Sequence, residues 1–144
     1  DEIGVFGLTF TYSGHPVSAK VAIETLKIYE EKNIVEHVRQ MEPFLLNGLR
    51  ELSYHPLVGE IRGKGLLAGV ELVANKKTRK AFNPKIGVGK FCAERAEHHG
   101  LIVRAIGDTI SFCPPLIIKE NEIALMISLF KKALDDTLVI TSET

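Results

Sequence analysis

The chain has 144 residues, enough for one domain of ordinary size with its own core. Its 18 basic and 18 acidic side chains cancel, which speaks against nucleic acid as a partner and against an electrostatic membrane anchor. With 45% hydrophobic and 25% charged residues it reads as soluble and globular, and no apolar run approaches the ~20 residues of a membrane-spanning helix.

Asp1-Glu2-Ile3-Gly4 has no basic n-region and does not read as a signal peptide. The chain starts without methionine, as part of a longer polypeptide would. Phe10-Thr11-Tyr12-Ser13-Gly14-His15-Pro16 then places two hydroxyls and a glycine at a helix opening. Unpaired N–H groups at a helix N-terminus donate to anions, and Pro16 suits a first helical turn. Such a segment is either a phosphate contact or an ordinary capped helix start. A helix is predicted from Pro16 to about Asn33, with Ala19, Ala22, Ile23, Leu26 and Tyr29 on one face. A second runs from Ile34 to about Leu52, and Pro43 inside it predicts a kink or break.

From Val58 to Val73 the pattern becomes two strands separated by Gly63-Lys64-Gly65. Ala74 to Pro84 is a polar, basic, exposed loop. A third helix is expected from about Ile86 to His99, stopped by Gly100. Leu101–Ala105 and Thr109–Phe112 read as short strands around a Gly107-Asp108 turn, closed by Pro114-Pro115. A last helix spans Lys119 to about Asp136, and the tail after Leu138 is expected to fray. The order ααββαββα predicts an α/β chain with helices packed on one face of a small, mainly antiparallel sheet.

Several motifs fail on context. Gly63-Lys64-Gly65-Leu66-Leu67-Ala68 matches the dinucleotide pattern G-x-G-x-x-A, but an apolar strand follows where that fold needs a helix N-terminus. Lys64 between glycines lacks the burial or neighbouring cations that activate a Schiff-base lysine, so a surface hairpin is the better reading. Cys92, Glu94, His98 and His99 include no second ligand pair with zinc spacing, and no metal site is expected. Two cysteines make no disulfide framework, although a Cys92–Cys113 bridge stays open, and a reducing cytoplasm is the default.

Four elements together resemble the class III (ω-amino acid type) aminotransferases. These are Thr11 to Pro16, Val58-Gly59-Glu60-Ile61-Arg62-Gly63-Lys64-Gly65-Leu66, Gly100-Leu101-Ile102-Val103-Arg104 and Phe112-Cys113-Pro114-Pro115-Leu116. They fall in the family's order and spacing over about Gly4 to Leu138. The resemblance implies the α+β small domain of a fold-type I enzyme that uses pyridoxal 5'-phosphate. Residues 1–15 would end the large domain, 16–33 form an interdomain helix and 34–144 the small domain. Thr11, with Phe10 beside it, would bind cofactor phosphate across a homodimer (or dimer-of-dimers) interface. Arg104, otherwise an ordinary arginine on an edge strand, would engage the carboxylate of an amino or keto acid and swing aside for a substrate without one.

Three departures refine this expectation. Ser111 stands where ornithine-type relatives carry a carboxylate-binding arginine, which favours an ω-amino acid or diamine donor with pyruvate as acceptor. Leu8-Thr9 replaces the His-Gly often found before the Phe. The lysine that holds the cofactor lies upstream of the Thr motif in this family, so the isolated chain is expected to be inactive, with no catalytic residue of its own. The alternatives are an aminomutase or decarboxylase of the same fold, or a non-catalytic dimerising fragment.

Overall fold

A computed structural model describes residues 10–142, so Leu8-Thr9 lies outside the described residues. Cα packing divides the chain into Asp1–Ile34 and Val35–Thr144. In the first unit, the helix α1 (Pro16–Glu31) begins at an extended His15 with Pro16 in its first turn. Its apolar stripe exists as periodicity predicts, yet no residue of α1 is buried; Val17, Val21 and Leu26 are all exposed.

The second unit supplies the core. Its elements are α2 (Ile34–Glu51, whose first residue belongs to the other unit), β1 (Val58–Lys64), β2 (Leu67–Leu72), α3 (Val88–His98), β3 (Arg104–Ile106), β4 (Thr109–Phe112) and α4 (Glu120–Ser142). The strands form one antiparallel sheet in the order β1-β2-β4-β3. Alternation sends Ala68, Val70 and Leu72 of β2 and Ile110 and Phe112 of β4 to one face, where all are buried. Leu45, Leu46 and Leu49 of α2, Cys92 and Ala96 of α3, and Phe130 and Leu134 of α4 complete that core. Phe112 meets Phe130 edge-on with ring centroids 4.9 Å apart. The opposite face carries Arg62, Gly69, Ser111 and Arg104 in one cross-strand row, and Glu71 opposite Thr109 in the next.

The structure moves several expected boundaries. Gly63 and Lys64 belong to β1, and the hairpin turns on Gly65-Leu66 alone, with Gly65 at φ +58° as the first residue of a two-residue loop. Gly107 (φ +58°) plays the same part between β3 and β4. Pairing begins at Arg104, so Leu101–Val103 lies outside the strand. No break occurs at Pro43: α2 runs through it, because Pro43 faces solvent while Leu45, Leu46 and Leu49 anchor the following turns. α4 continues past Leu138 to Ser142, held by fully buried Thr137, partly buried Leu138 and the Thr141 hydroxyl, which donates to the Thr137 carbonyl at 3.1 Å.

Polar ties join the elements. His37 Nε2 lies 2.8 Å from the Ile118 carbonyl, linking α2 to the segment before α4. Arg95 of α3 and His99, the C-cap that follows it, both meet Asp136 of α4, at 2.8 and 2.9 Å. The Arg95 guanidinium, seconded by His99, holds the Asp136 carboxyl below its ordinary range. Asp108 reaches from the β3–β4 turn to accept the Gly89 N–H at 2.9 Å, capping α3, whose own N-cap is a left-handed glycine, Gly87.

Candidate functional site

The phosphate-contact segment of the first unit is a tight turn. Ser13 N–H donates to the Phe10 carbonyl at 2.9 Å, and the Phe10 N–H donates to Ser13 Oγ at 2.8 Å. Gly14, at φ +74°, takes the left-handed conformation needed to leave that turn before the helix. Ser13 thus spends its hydroxyl on the turn itself, a use that residue spacing did not reveal. Thr11 is exposed, and neither its hydroxyl nor its N–H has a hydrogen-bond partner among the described residues. No side chain caps α1. The helix start is thus not capped by a side chain, and the N–H groups of its first turn are of the kind that can donate to water or to an anion.

Arg104 belongs to the second unit. It opens β3, the edge strand, and stands opposite Ser111 of β4. Its side chain is exposed, and among the described residues it makes no ion pair or hydrogen bond. It lines a cavity of about 800 Å³ between α3, the 81–87 loop and β3, together with Glu71, Phe82, Lys90 and Glu97. A guanidinium without a protein partner at the rim of a cavity is available to a carboxylate from outside. Ser111 offers only a hydroxyl there, 3.9 Å from Cys113 Sγ. Phe10 and Thr11 therefore share one turn, whereas Arg104 belongs to the sheet of the other unit.

The groups set aside on sequence grounds have ordinary roles. Lys64 is exposed and paired with Glu42 at 3.0 Å, which lowers the Glu42 pKa. Every lysine in the chain is exposed, so none has the burial that activates an amine. Both cysteines are free thiols; Cys92 is buried, which pushes its pKa up to about 11, and Cys113 is exposed. Glu94 lies beside Lys90 at 3.8 Å rather than holding His98 as a ligand partner.

Residues 2–134 match the aminotransferase class-III family. The chain belongs to that family. Its members work with pyridoxal phosphate. Similar proteins include the putrescine–pyruvate aminotransferase of Pseudomonas aeruginosa, 50% identical over 93% of this chain. A chloroplastic γ-aminobutyrate transaminase 3 of Solanum lycopersicum is 47% identical over 95% of it. Among solved structures, the ω-transaminase of Pseudomonas jessenii in complex with PMP superposes with a TM-score of 0.88 at 47% identity, covering 98% of this chain. The chain spans 29%, 26% and 31% of the lengths of these three aminotransferases, respectively.

Proposed function

We propose that this chain is the C-terminal part of an aminotransferase that moves an amino group from an ω-amino acid or amine to a keto acid such as pyruvate. The observation that carries the reading is Arg104: an unpartnered guanidinium at a cavity rim, in a chain of a transaminase family. The relatives named for γ-aminobutyrate and for putrescine with pyruvate support the two donor classes.

The turn at Phe10–Ser13 fits a phosphate group, with Thr11 hydroxyl and N–H as donors and the uncapped start of α1 adding partial positive charge. Thr11 would hold the phosphate bound in a second subunit, which makes the working form a homodimer or a dimer of dimers; the cytoplasm is its proposed compartment. The chemistry the cofactor supplies when bound is reversible storage of the donor's amino group for delivery to a keto acid. Arg104 orients the acid by gripping its carboxylate bidentately, which fixes the reacting carbon relative to the cofactor site. No lysine of this chain is placed to hold the cofactor or move a proton, so the chain alone is inactive.

The test is Arg104→Ala in the full-length enzyme. A charge-assisted bidentate contact is worth about 1.5–3 kcal/mol, so kcat/KM for amino and keto acids is expected to fall roughly 10- to 100-fold. A carboxylate-free amine should lose less than about threefold. Equal losses on both substrate types would overturn the assignment. Pyridoxal phosphate added to the isolated chain, followed by borohydride reduction and peptide mapping, should give no stoichiometric adduct at any one lysine. A single adduct at Lys64 would refute the inactive-chain reading.

A further inference from the structure

Basic and acidic side chains balance over the whole sequence, yet between Glu71 and Glu94 there are six basic residues and no acidic one. Two of the six are spent: the Lys76 ammonium donates to the Ser53 and His55 carbonyls, and Lys90 lies 3.8 Å from Glu94. Lys77, Arg79, Lys80 and Lys85 are exposed, and their side chains have no partner among the described residues. These four stand beside the Arg104 cavity. Ala81, Phe82 and Pro84 line it, so Lys80 and Lys85 bracket the lining residues directly. The backbone that bears them is pinned. Phe82 packs against the core, Ala74 N–H donates to the Lys80 carbonyl at 2.8 Å, and Lys85 N–H donates to Asn83 Oδ1 at 3.1 Å. Arg79 takes φ +54°, where glycine would fit without strain, and so keeps a cation at the tip of the 75–80 turn.

The acids that line the cavity do not cancel this charge. Glu71 faces Arg62 at 3.6 Å and Glu94 faces Lys90, which leaves Glu97 and Asp108 against the four loop cations and Arg104. We propose that Lys80 and Lys85, backed by Lys77 and Arg79, form a basic rim that gathers anionic acceptor acids at the mouth of the Arg104 cavity and holds back cationic amines. The rim residues touch no substrate; they set how often an acid meets Arg104. This inference rests on the reading of Arg104 as the carboxylate receptor.

The physical case is one of range. A bidentate grip acts only at contact, whereas a field of like charges acts across the water in front of the cavity. That reach is about 8 Å at physiological ionic strength and about 30 Å at 0.01 M. One exposed cation raises the local concentration of an anion only slightly, but four on one short segment act in concert. An amine donor, protonated at neutral pH, meets the same field with the opposite sign. Salt therefore separates the rim from the receptor: it screens the exposed loop and leaves the contact pairing at Arg104 largely in place.

The test measures kcat/KM for pyruvate, for its uncharged methyl ester and for butylamine in the full-length enzyme, at about 10 mM and about 500 mM salt. The variant carries Lys77→Gln, Arg79→Gln, Lys80→Gln and Lys85→Gln together. At low salt, kcat/KM for pyruvate is expected to fall roughly fourfold and that for butylamine to rise about twofold, with the ester unchanged. At high salt all three should lie within about 1.5-fold of the parent enzyme. Lys80→Gln with Lys85→Gln should account for the larger part of the pyruvate effect, because these two bracket the lining residues. Equal losses on all three substrates, a loss that persists at high salt, or an unchanged pyruvate value at low salt would each overturn the inference. If Arg104→Ala separates acids from amines but the loop variant does not, only this inference falls. If Arg104→Ala fails to separate them, the carboxylate-receptor reading falls and takes it along.

Discussion

The two units of the chain solve the problem of apolar helices in opposite ways. In the second, α2, α3 and α4 bury Leu45, Leu49, Cys92, Phe130 and Leu134 completely against a sheet face. In the first, α1 has a comparable run of valine, isoleucine and leucine and buries none of it. Its described supports are local: Pro16 in the first turn and Glu24 between Lys20 and Lys27, at 2.6 and 3.1 Å. An isolated helix of about this length is marginal in water. The difference teaches that periodicity announces a face to be covered and says nothing of what covers it.

The sharpest way to break the comparison is to empty the core. Phe130→Ala removes a ring with no exposure and its edge-on partner contact with Phe112, and should cost about 3–5 kcal/mol in urea unfolding. A loss under ~1 kcal/mol would mean that the second unit is not held by this core. Next comes Gly89→Ala. A methyl there would collide with the Gly107 carbonyl and come within 2.8 Å of Asp108 Cα, forcing the β3–β4 turn off α3. About 1–3 kcal/mol is expected, with Asp108 no longer capping the helix.

A third effect depends on pH. His55 is buried, and burial holds its pKa below the ordinary 6.5, against the pull of Asp135 3.5 Å away. The folded state therefore disfavours the charged ring. As pH falls below 6.5 the unfolded chain takes up the proton first, so stability declines until the folded pKa is reached, while above 6.5 His55 contributes no slope. His55→Gln should flatten the stability profile between about pH 7 and pH 5. An unchanged slope would show that His55 is not the group responsible.

Thiol labelling separates surface from interior without perturbing either. Cys113, exposed and free, should react with iodoacetamide at once, while Cys92, buried with its pKa near 11, should label only as the second unit unfolds. Equal rates would show that α3 opens readily in the native state. The smallest effect belongs to the first unit. Leu26→Ser on exposed α1 should change the unfolding free energy of the isolated chain by less than about 0.5 kcal/mol. A core-sized loss there would erase the contrast between the two units.

Much of the chain was legible residue by residue. The element order, the antiparallel sheet and Gly100 as a helix stop follow from periodicity and from residues that punctuate it locally. The family was legible through four motifs in register. The long-range devices were not. Asp108 reads as a turn residue until the fold sets it on the Gly89 N–H, and Ser13 reads as an anion ligand until its hydroxyl is seen closing its own turn. Asp136 gives no sign in sequence that it gathers Arg95 of another helix and His99 at that helix's C-terminal cap.

By itself, then, the sequence determined which segments are helix or strand, which faces are apolar, and to which enzyme family the chain belongs. These depend on side chains a few residues apart, whose spacing is written in the order of the chain. The tertiary structure alone decided that Pro43 leaves α2 unbroken, that α4 runs past Leu138, and that Glu71 shares a sheet face and a cavity with Arg104. Those outcomes depend on packing and strand register between residues distant in sequence, where burial energy outweighs local preference.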